Sequence, residues 1–386
     1  QVIAPCMDIP VQAEVFTGAT DERLHSRLLE LIHRPFDLQT GPLVRVHLLE
    51  LSEAQSVLLI AIHHIVADGW SMGVLVRELA QLYNAYAPEA GTAADELLVS
   101  AGLPELPVQY ADYAVWQRAW LSGGELERQE AYWQAQLADA PPLLDLPLDH
   151  ARPPVQRFRG AWVSESISRD LTDELSELAA NAGATLFMVL LAAFKVLVAR
   201  HTGREDVVIG TPIAGRRRTE LEGLIGFFLN TLVLRSDLSG NPRFAEVVSR
   251  VKQTTLGAYD HQELPFEKLL EILQPTRSTA YTPVVQVMFN LHNEPGGEMD
   301  LNGLSVTPFS VDRGTAKFDL SVAVIEGRSG LQIGFEYNTD LFERETVASM
   351  LRHYGEILAA IVSRQDLCIA DLSLSGTSSV QLPEPD

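Results

Sequence analysis

Two adjacent histidines, His63 and His64, close an apolar run and are followed by Ile65-Val66-Ala67-Asp68-Gly69-Trp70-Ser71. An imidazole titrates near neutrality, so it can take up or release a proton at physiological pH. The run before them has strand character, and neighbouring strand residues point to opposite faces. One histidine can therefore enter a cavity while the other packs behind it. Asp68 is placed to orient the turn through a buried ion pair, and Gly69 lets the backbone approach a substrate closely. Residues 69–73 also fit G-x-S-x-G, which would make Ser71 an esterase nucleophile. That elbow needs a strand running straight into the serine. Here the strand signal ends near Ile62 and no HGGG-type segment occurs, so Ser71 reads as a helix cap. Gly210-Thr211-Pro212-Ile213-Ala214-Gly215-Arg216 half-resembles a phosphate loop but lacks its Lys-Ser/Thr ending. Arg216 stays of interest as a carboxylate partner. No HExxH, EF-hand or Cys/His metal spacing occurs, and adjacent histidines make a poor pair of ligands for one zinc.

The surrounding patterns must hold these groups in place. Residues 21–32 read as an amphipathic helix with Leu24, Leu28, Leu29 and Ile32 on one face. Residues 43–51 and 56–62 read as strands about a polar turn. Met72, Leu75, Val76, Leu79, Leu82, Tyr83 and Tyr86 form one stripe of period 3.6, predicting a helix over 72–86 with Ser71 at its N-cap. Residues 87–107 read as a surface loop and 110–138 as helical. Five prolines between 141 and 160 mark the expected boundary between two lobes. Beyond it, a strand at 161–167 leads to helices at 171–182 and 186–200. Further strands are expected at 207–210 and 231–235 and from Pro283 onward, before a last helix at 344–363. The Ser/Pro-rich tail reads as a linker. The apolar run 184–194, broken by Lys195, is too short to span a bilayer and reads as a buried helix.

The chain has 386 residues and a net charge of −22, from 51 acids against 29 bases, which argues against binding along a phosphate backbone. With 46% hydrophobic and 21% charged residues, bulk disorder is excluded. Cys6 and Cys368 form no CxxC pair, which suits a reducing, cytoplasmic setting. The mixture of strand and helix patterns means an α/β or α+β fold.

With its neighbours, the His63–Ser71 segment resembles the HHxxxDGxS signature of condensation domains from nonribosomal peptide synthetases. Four further stretches share that likeness, in the family's order. Pro35-Phe36-Asp37-Leu38 with Gly41-Pro42-Leu43 resembles PFDLxxGPL, and Tyr110-Ala111-Asp112-Tyr113-Ala114-Val115-Trp116 resembles YxDYAVW. Ile225-Gly226-Phe227-Phe228-Leu229-Asn230-Thr231 resembles IGxFxNT, closed by Arg235, and His261-Gln262-Glu263-Leu264-Pro265-Phe266-Glu267 resembles HQxxPFE. The family's SxAQxR and RHExLRT motifs are absent, so the chain is expected to begin partway through the first lobe. Its late RDxSRNPL motif is replaced by Arg277-Ser278-Thr279-Ala280-Tyr281-Thr282-Pro283.

The resemblance implies a chloramphenicol-acetyltransferase-like fold, a two-lobed V-shaped pseudo-dimer with a central tunnel. Its lobes would be residues 1–150, truncated at the start, and 151–372, with a linker-like tail at 373–386. It implies amide formation between a donor acyl or peptidyl thioester and an acceptor aminoacyl amine. Both are delivered on 4′-phosphopantetheine arms of upstream and downstream carrier domains, with no intrinsic cofactor or metal. An adenylation domain is expected to follow in the parent protein; nucleic acid and membrane are not expected partners. His64 resembles the catalytic histidine, as a base or a positioning group, with His63 behind it. Asp68 would be structural, paired with Arg216 or with an arginine upstream of the chain, and the Gly69 N–H would help hold an oxyanion. Trp70, Ser71 and Asn230 would support the substrate tunnel. Epimerizing or dehydrating relatives of the same fold, a non-catalytic recruitment domain and the Ser71 esterase are the alternatives.

Overall fold

The structure, a computed structural model, describes residues 7–18, 20–86, 102–292, 299–364 and 366–375. Cys6, most of the expected loop at 87–107 and the tail beyond Ser375 lie outside the described residues. The chain forms two compact units. One comprises Gln1–Val115, Arg216–Phe228 and Glu294–Arg313; the other comprises Trp116–Gly215, Leu229–Asn293 and Gly314–Asp386.

In the first unit, strands β1 (Val11–Val15), β2 (Val44–Ser52) and β3 (Gln55–Ile62) form a sheet in that order. β1 runs parallel to β2, and β2 pairs antiparallel with β3 across a tight turn. Helix α1 (Asp21–His33) begins where Thr20 accepts a hydrogen bond from the Arg23 N–H. It buries Leu24, Leu28 and Leu31 against Phe16 and Leu49, while Leu29 and Ile32 are only half-buried. Helix α2 (Gly69–Tyr86) starts three residues before the expected position. Its carboxylate cap is Asp68, and Ser71 lies inside the first turn instead of capping it. Both residue types favour N-caps, so the helix start depends on which side chain turns back to the amides.

The expected helix over 110–138 is two helices, α3 (Tyr110–Trp120) and α4 (Gly124–Gln136). Gly123 separates them at φ 71°, a conformation glycine adopts at little cost. In the second unit, β4 (Gly160–Ser168), β5 (Asp206–Ile213), β6 (Asn230–Asp237), β7 (Val287–His292), β8 (Leu320–Gly327) and β9 (Gly330–Asn338) form one sheet of order β4-β9-β8-β7-β5-β6. Against it lie α5 (Arg169–Asn181), α6 (Leu186–Thr202), α7 (Phe244–Asp260) and α9 (Arg344–Ser363), while α8 (Phe266–Leu273) meets α4 and β6. The last helix matches its expected range. The proline-rich stretch at 141–160 is held within this unit. Leu144 and Leu146 are core residues, and Arg152 forks onto the buried Asp319 carboxylate. Arg152 and Thr279 also tie that stretch to the Arg277–Pro283 segment, through the Ala280 and Pro154 carbonyls respectively.

No single described helix is long and apolar enough to cross a membrane. Helix α6 is the apolar run of the sequence, and every residue from 188 to 199 is buried, Lys195 included. The Lys195 Nζ donates to Leu234 O at 2.6 Å, Ser236 Oγ at 2.8 Å and Val207 O at 3.4 Å. Burial pushes its pKa down to about 7, with the Asp206 charge opposing. The unfolded chain therefore binds more protons between pH 7 and the ordinary lysine range, so folding becomes more favourable as pH rises there. The burial penalty is fully present below pH 7. Denaturant unfolding of wild type and Lys195→Met should show a stability difference that moves in favour of wild type by on the order of 3 kcal/mol between pH 7 and 10. A difference constant across that range would show that Lys195 does not titrate there.

Candidate functional site

Strand β3 ends at Ile62, and the chain continues through His63 into a single 3-10 turn, His64–Val66. The histidines therefore diverge at a change of backbone conformation and not along a strand. The His63 N–H donates to Leu43 O, and its Nδ1 accepts from the Ile65 N–H at 3.1 Å, which places the proton of neutral His63 on Nε2. Its ring meets Phe36 edge to face at 5.8 Å, and the Arg45 guanidinium covers that phenyl ring at 3.9 Å. His64 has the opposite tautomer. A carbonyl only accepts, so the 2.7 Å contact between Nδ1 and Ala67 O puts the proton on Nδ1 and leaves the Nε2 lone pair available. The His64 residue is exposed, and its ring stands edge to face with Phe227 at 5.2 Å.

Asp68 lies beneath this turn, 4% exposed. Its Oδ1 accepts from the Ser71 N–H at 2.9 Å and contacts Ser71 Oγ at 2.7 Å, while Oδ2 accepts from the Phe228 N–H at 3.0 Å. Arg216 completes the pair, with Nη2 3.1 Å from Asp68 Oδ1 and 3.0 Å from Ser71 Oγ. Its Nη1 donates to Leu221 O at 2.5 Å and Leu224 O at 2.8 Å, and the guanidinium lies over the Phe228 ring at 4.1 Å. Arg216, one of the two arginine sources expected from the sequence, pairs with Asp68 here. Burial pushes the Asp68 carboxyl up, but the Ser71 hydroxyl, the Phe228 and Ser71 amides and the Arg216 charge outweigh it, holding the carboxyl below its ordinary range.

Residues 216–228 act as a latch across the first turn of α2. Ser71 Oγ donates to Gly226 O or Asp68 Oδ1 and accepts from the Gly226 N–H at 3.1 Å and from Arg216. At 1% exposure and surrounded by these partners, that hydroxyl is not presented as a nucleophile. Trp70 Nε1 donates to Glu222 O at 2.8 Å. Gly69 opens α2, so its N–H is one of the first-turn amides that no helical carbonyl reaches. Asn230 belongs to the other unit. There its carboxamide donates to Gln262 O and Leu264 O and accepts from the Phe266 N–H, fixing the loop into α8.

Sequence reasoning did not assign roles to Tyr110, Gly226, Phe227 and Phe228. The Tyr110 hydroxyl donates to Phe227 O at 2.7 Å, and the Tyr110 and Tyr113 rings pack on Phe228. Burial, with the Asp68 charge adding to it, pushes the Tyr110 hydroxyl up and keeps it a donor. A Cβ at Gly226 would collide with the Tyr110 ring, so this approach requires glycine. The signal was present in the shared order of the YADYAVW and IGFFLNT stretches, but not in any local pattern.

A family model described as Condensation domain matches residues 1–381. One of the linear gramicidin synthase proteins of Brevibacillus parabrevis is 48% identical over 347 residues, covering 89% of this chain and 7% of that protein. Phosphinothricin tripeptide synthetase PhsB of Streptomyces viridochromogenes is 43% identical over 343 residues, covering 88% of this chain and 28% of that protein. The chain thus spans less than a third of either relative. Among solved structures, the X-domain from teicoplanin biosynthesis superposes with a TM-score of 0.85 at 32% identity, covering 94% of this chain and 81% of that one. The first condensation domain of the calcium-dependent antibiotic synthetase superposes with a TM-score of 0.68 at 21% identity, covering 95% and 78%, a likeness of fold. By a family match across almost its whole length and by relatives at more than 40% identity, the chain belongs to the condensation-domain family of the nonribosomal peptide synthetases.

Proposed function

We propose that the chain catalyses amide formation between two carrier-bound acyl groups in the cytoplasm, with His64 at the reacting amine. The observation that carries this reading is the His64 ring, its Nδ1–H held by Ala67 O and its Nε2 lone pair available. The acceptor amine attacks the donor thioester carbonyl, a tetrahedral centre forms, and the C–S bond breaks to give an amide and a free pantetheine thiol. The Nε2 lone pair accepts the proton the amine loses, and that proton leaves with the departing sulfur. A positioned base contributes about 10²–10⁴-fold, and orientation of two tethered reactants adds to it. The Gly69 N–H, at the positive end of α2, supports the oxyanion. His63 acts from behind, holding the turn that presents His64. Trp70, Ser71 and Arg216 hold the loop, and Asn230 holds the 262–266 segment. The substrates are thioesters on 4′-phosphopantetheine arms of an upstream donor and a downstream acceptor carrier domain, within a synthetase that also carries an adenylation domain.

The likeness to an X-domain favours a second reading, a docking platform for a partner protein, because one solved X-domain is in complex with OxyB. Donor- and acceptor-loaded carriers, with products followed by mass spectrometry, separate the two. Amide product lost in His64→Ala but present in wild type supports condensation; no amide from wild type supports the platform. His64→Ala should lower turnover at least 100-fold with its melting temperature unchanged. Asp68→Asn should act through stability. A depressed carboxyl stabilises the fold above its unfolded pKa, and that contribution is lost as pH falls through the folded pKa. Leaving Arg216 buried without its anion costs about 3 kcal/mol near neutrality. The deficit of Asp68→Asn in chemical denaturation should shrink toward pH 3; a deficit independent of pH would remove the ion pair as its cause.

A further inference from the structure

We propose that Phe227 is a positioning residue for His64, with Tyr110 as its tether. The bond from Nδ1 to Ala67 O selects the tautomer of His64 but leaves the ring free to rock about that bond. His64 sits in a three-residue turn and is exposed, so little of its own surroundings holds the plane of the ring. The second restraint is the Phe227 ring, 5.2 Å away at an interplanar angle of 89°. Perpendicular packing of this kind is the favoured edge-to-face arrangement of aromatic rings.

Phe227 is itself delivered from a fixed backbone. Before it, the Gly226 amide and carbonyl both meet Ser71 Oγ. After it, the Phe228 N–H is bound by Asp68. Its own carbonyl takes the Tyr110 hydroxyl at 2.7 Å. Three consecutive residues are thus tied, and the half-buried ring between them is the part left facing His64. The buried ion pair then reaches the imidazole through Phe227 without touching it.

The rate readout rests on the condensation reading, whereas the ring geometry is tested without it. In the synthetase carrying this domain, with both carriers loaded, Phe227→Ala should lower kcat by about 10- to 100-fold, the scale of a displaced catalytic group, and leave the acceptor KM unchanged. Phe227→Tyr keeps the ring and should restore the rate, and Tyr110→Phe should show a smaller loss. In the NMR spectrum of the His64 imidazole, nitrogen-15 shifts should show the Nδ1–H tautomer in both wild type and Phe227→Ala, whereas carbon-13 relaxation should show a rigid ring in wild type and a mobile one in Phe227→Ala. Where Phe227→Ala melts, Phe227→Leu fills the space without a ring and should show the same two changes. Wild-type rate with wild-type imidazole relaxation in Phe227→Ala or Phe227→Leu overturns the proposal, as does a loss that Phe227→Tyr fails to rescue. If His64→Ala condenses as fast as wild type, the catalytic reading fails. The imidazole relaxation then decides alone, and unchanged relaxation in Phe227→Ala overturns the positioning role.

Discussion

The buried pair of Asp68 and Arg216 is the constraint on which the loop depends. Their side chains are 2% and 1% exposed, respectively, so both charges have left water. Desolvation of two ions offsets much of their attraction, and such pairs are weak sources of net stability. This one is completed by neighbours: two amides and a hydroxyl at Asp68, two carbonyls and an aromatic face at Arg216. These fixed partners make the arrangement selective. A shift of the latch by one residue would strand a carboxylate, a guanidinium or both, so a single register is favoured. The cap of α2, the seat of Ser71 and the reach of Phe227 follow from that register.

The five stretches that mark the family become intelligible as pairs of contacts. Phe36 of the PFDL stretch supports His63, and Tyr110 and Tyr113 of YADYAVW receive Phe227 and Phe228. Asn230, at the end of IGFFLNT, holds the HQELPFE segment, whose His261 lies flat on Tyr132 at 3.9 Å and accepts from Arg128. Arg235 forks onto Asp206 and takes the carbonyls of Gln136 and Ala138, seating the end of α4. Most of these residues therefore place backbone.

Local order was readable in the sequence wherever one strong period governed it. The buried helix at 186–202 and the last helix at 344–363 come from apolar runs and stripes that admit one reading. The start of α2 was ambiguous because Asp68, Gly69 and Ser71 all suit the entrance to a helix, and the deciding force is a carboxylate held by Arg216, 148 positions away. No window of sequence contains that interaction. The proline-rich stretch illustrates the reverse. Prolines remove donors and periodicity, so it reads as a connector, yet Leu144, Leu146 and Arg152 anchor it in the core of the second unit. The histidine pair was legible as a candidate site, but which ring keeps an open lone pair depended on two backbone contacts, at Ile65 and Ala67.

The latch bears on how such domains can be recombined. Residues 216–228 join the paired strands β5 and β6 of the second unit, Ile213 standing opposite Asn230, yet they pack as part of the first. A chimera spliced near Val115 would take its histidine loop from one parent and the partner of Asp68 from the other. Inheritance of the loop is thus split between two stretches of coding sequence about 100 codons apart. Exchanges that carry residues 216–228 together with the first unit would keep the parental pairing of Asp68, Ser71 and Phe227, whatever sheet and helices are grafted around them.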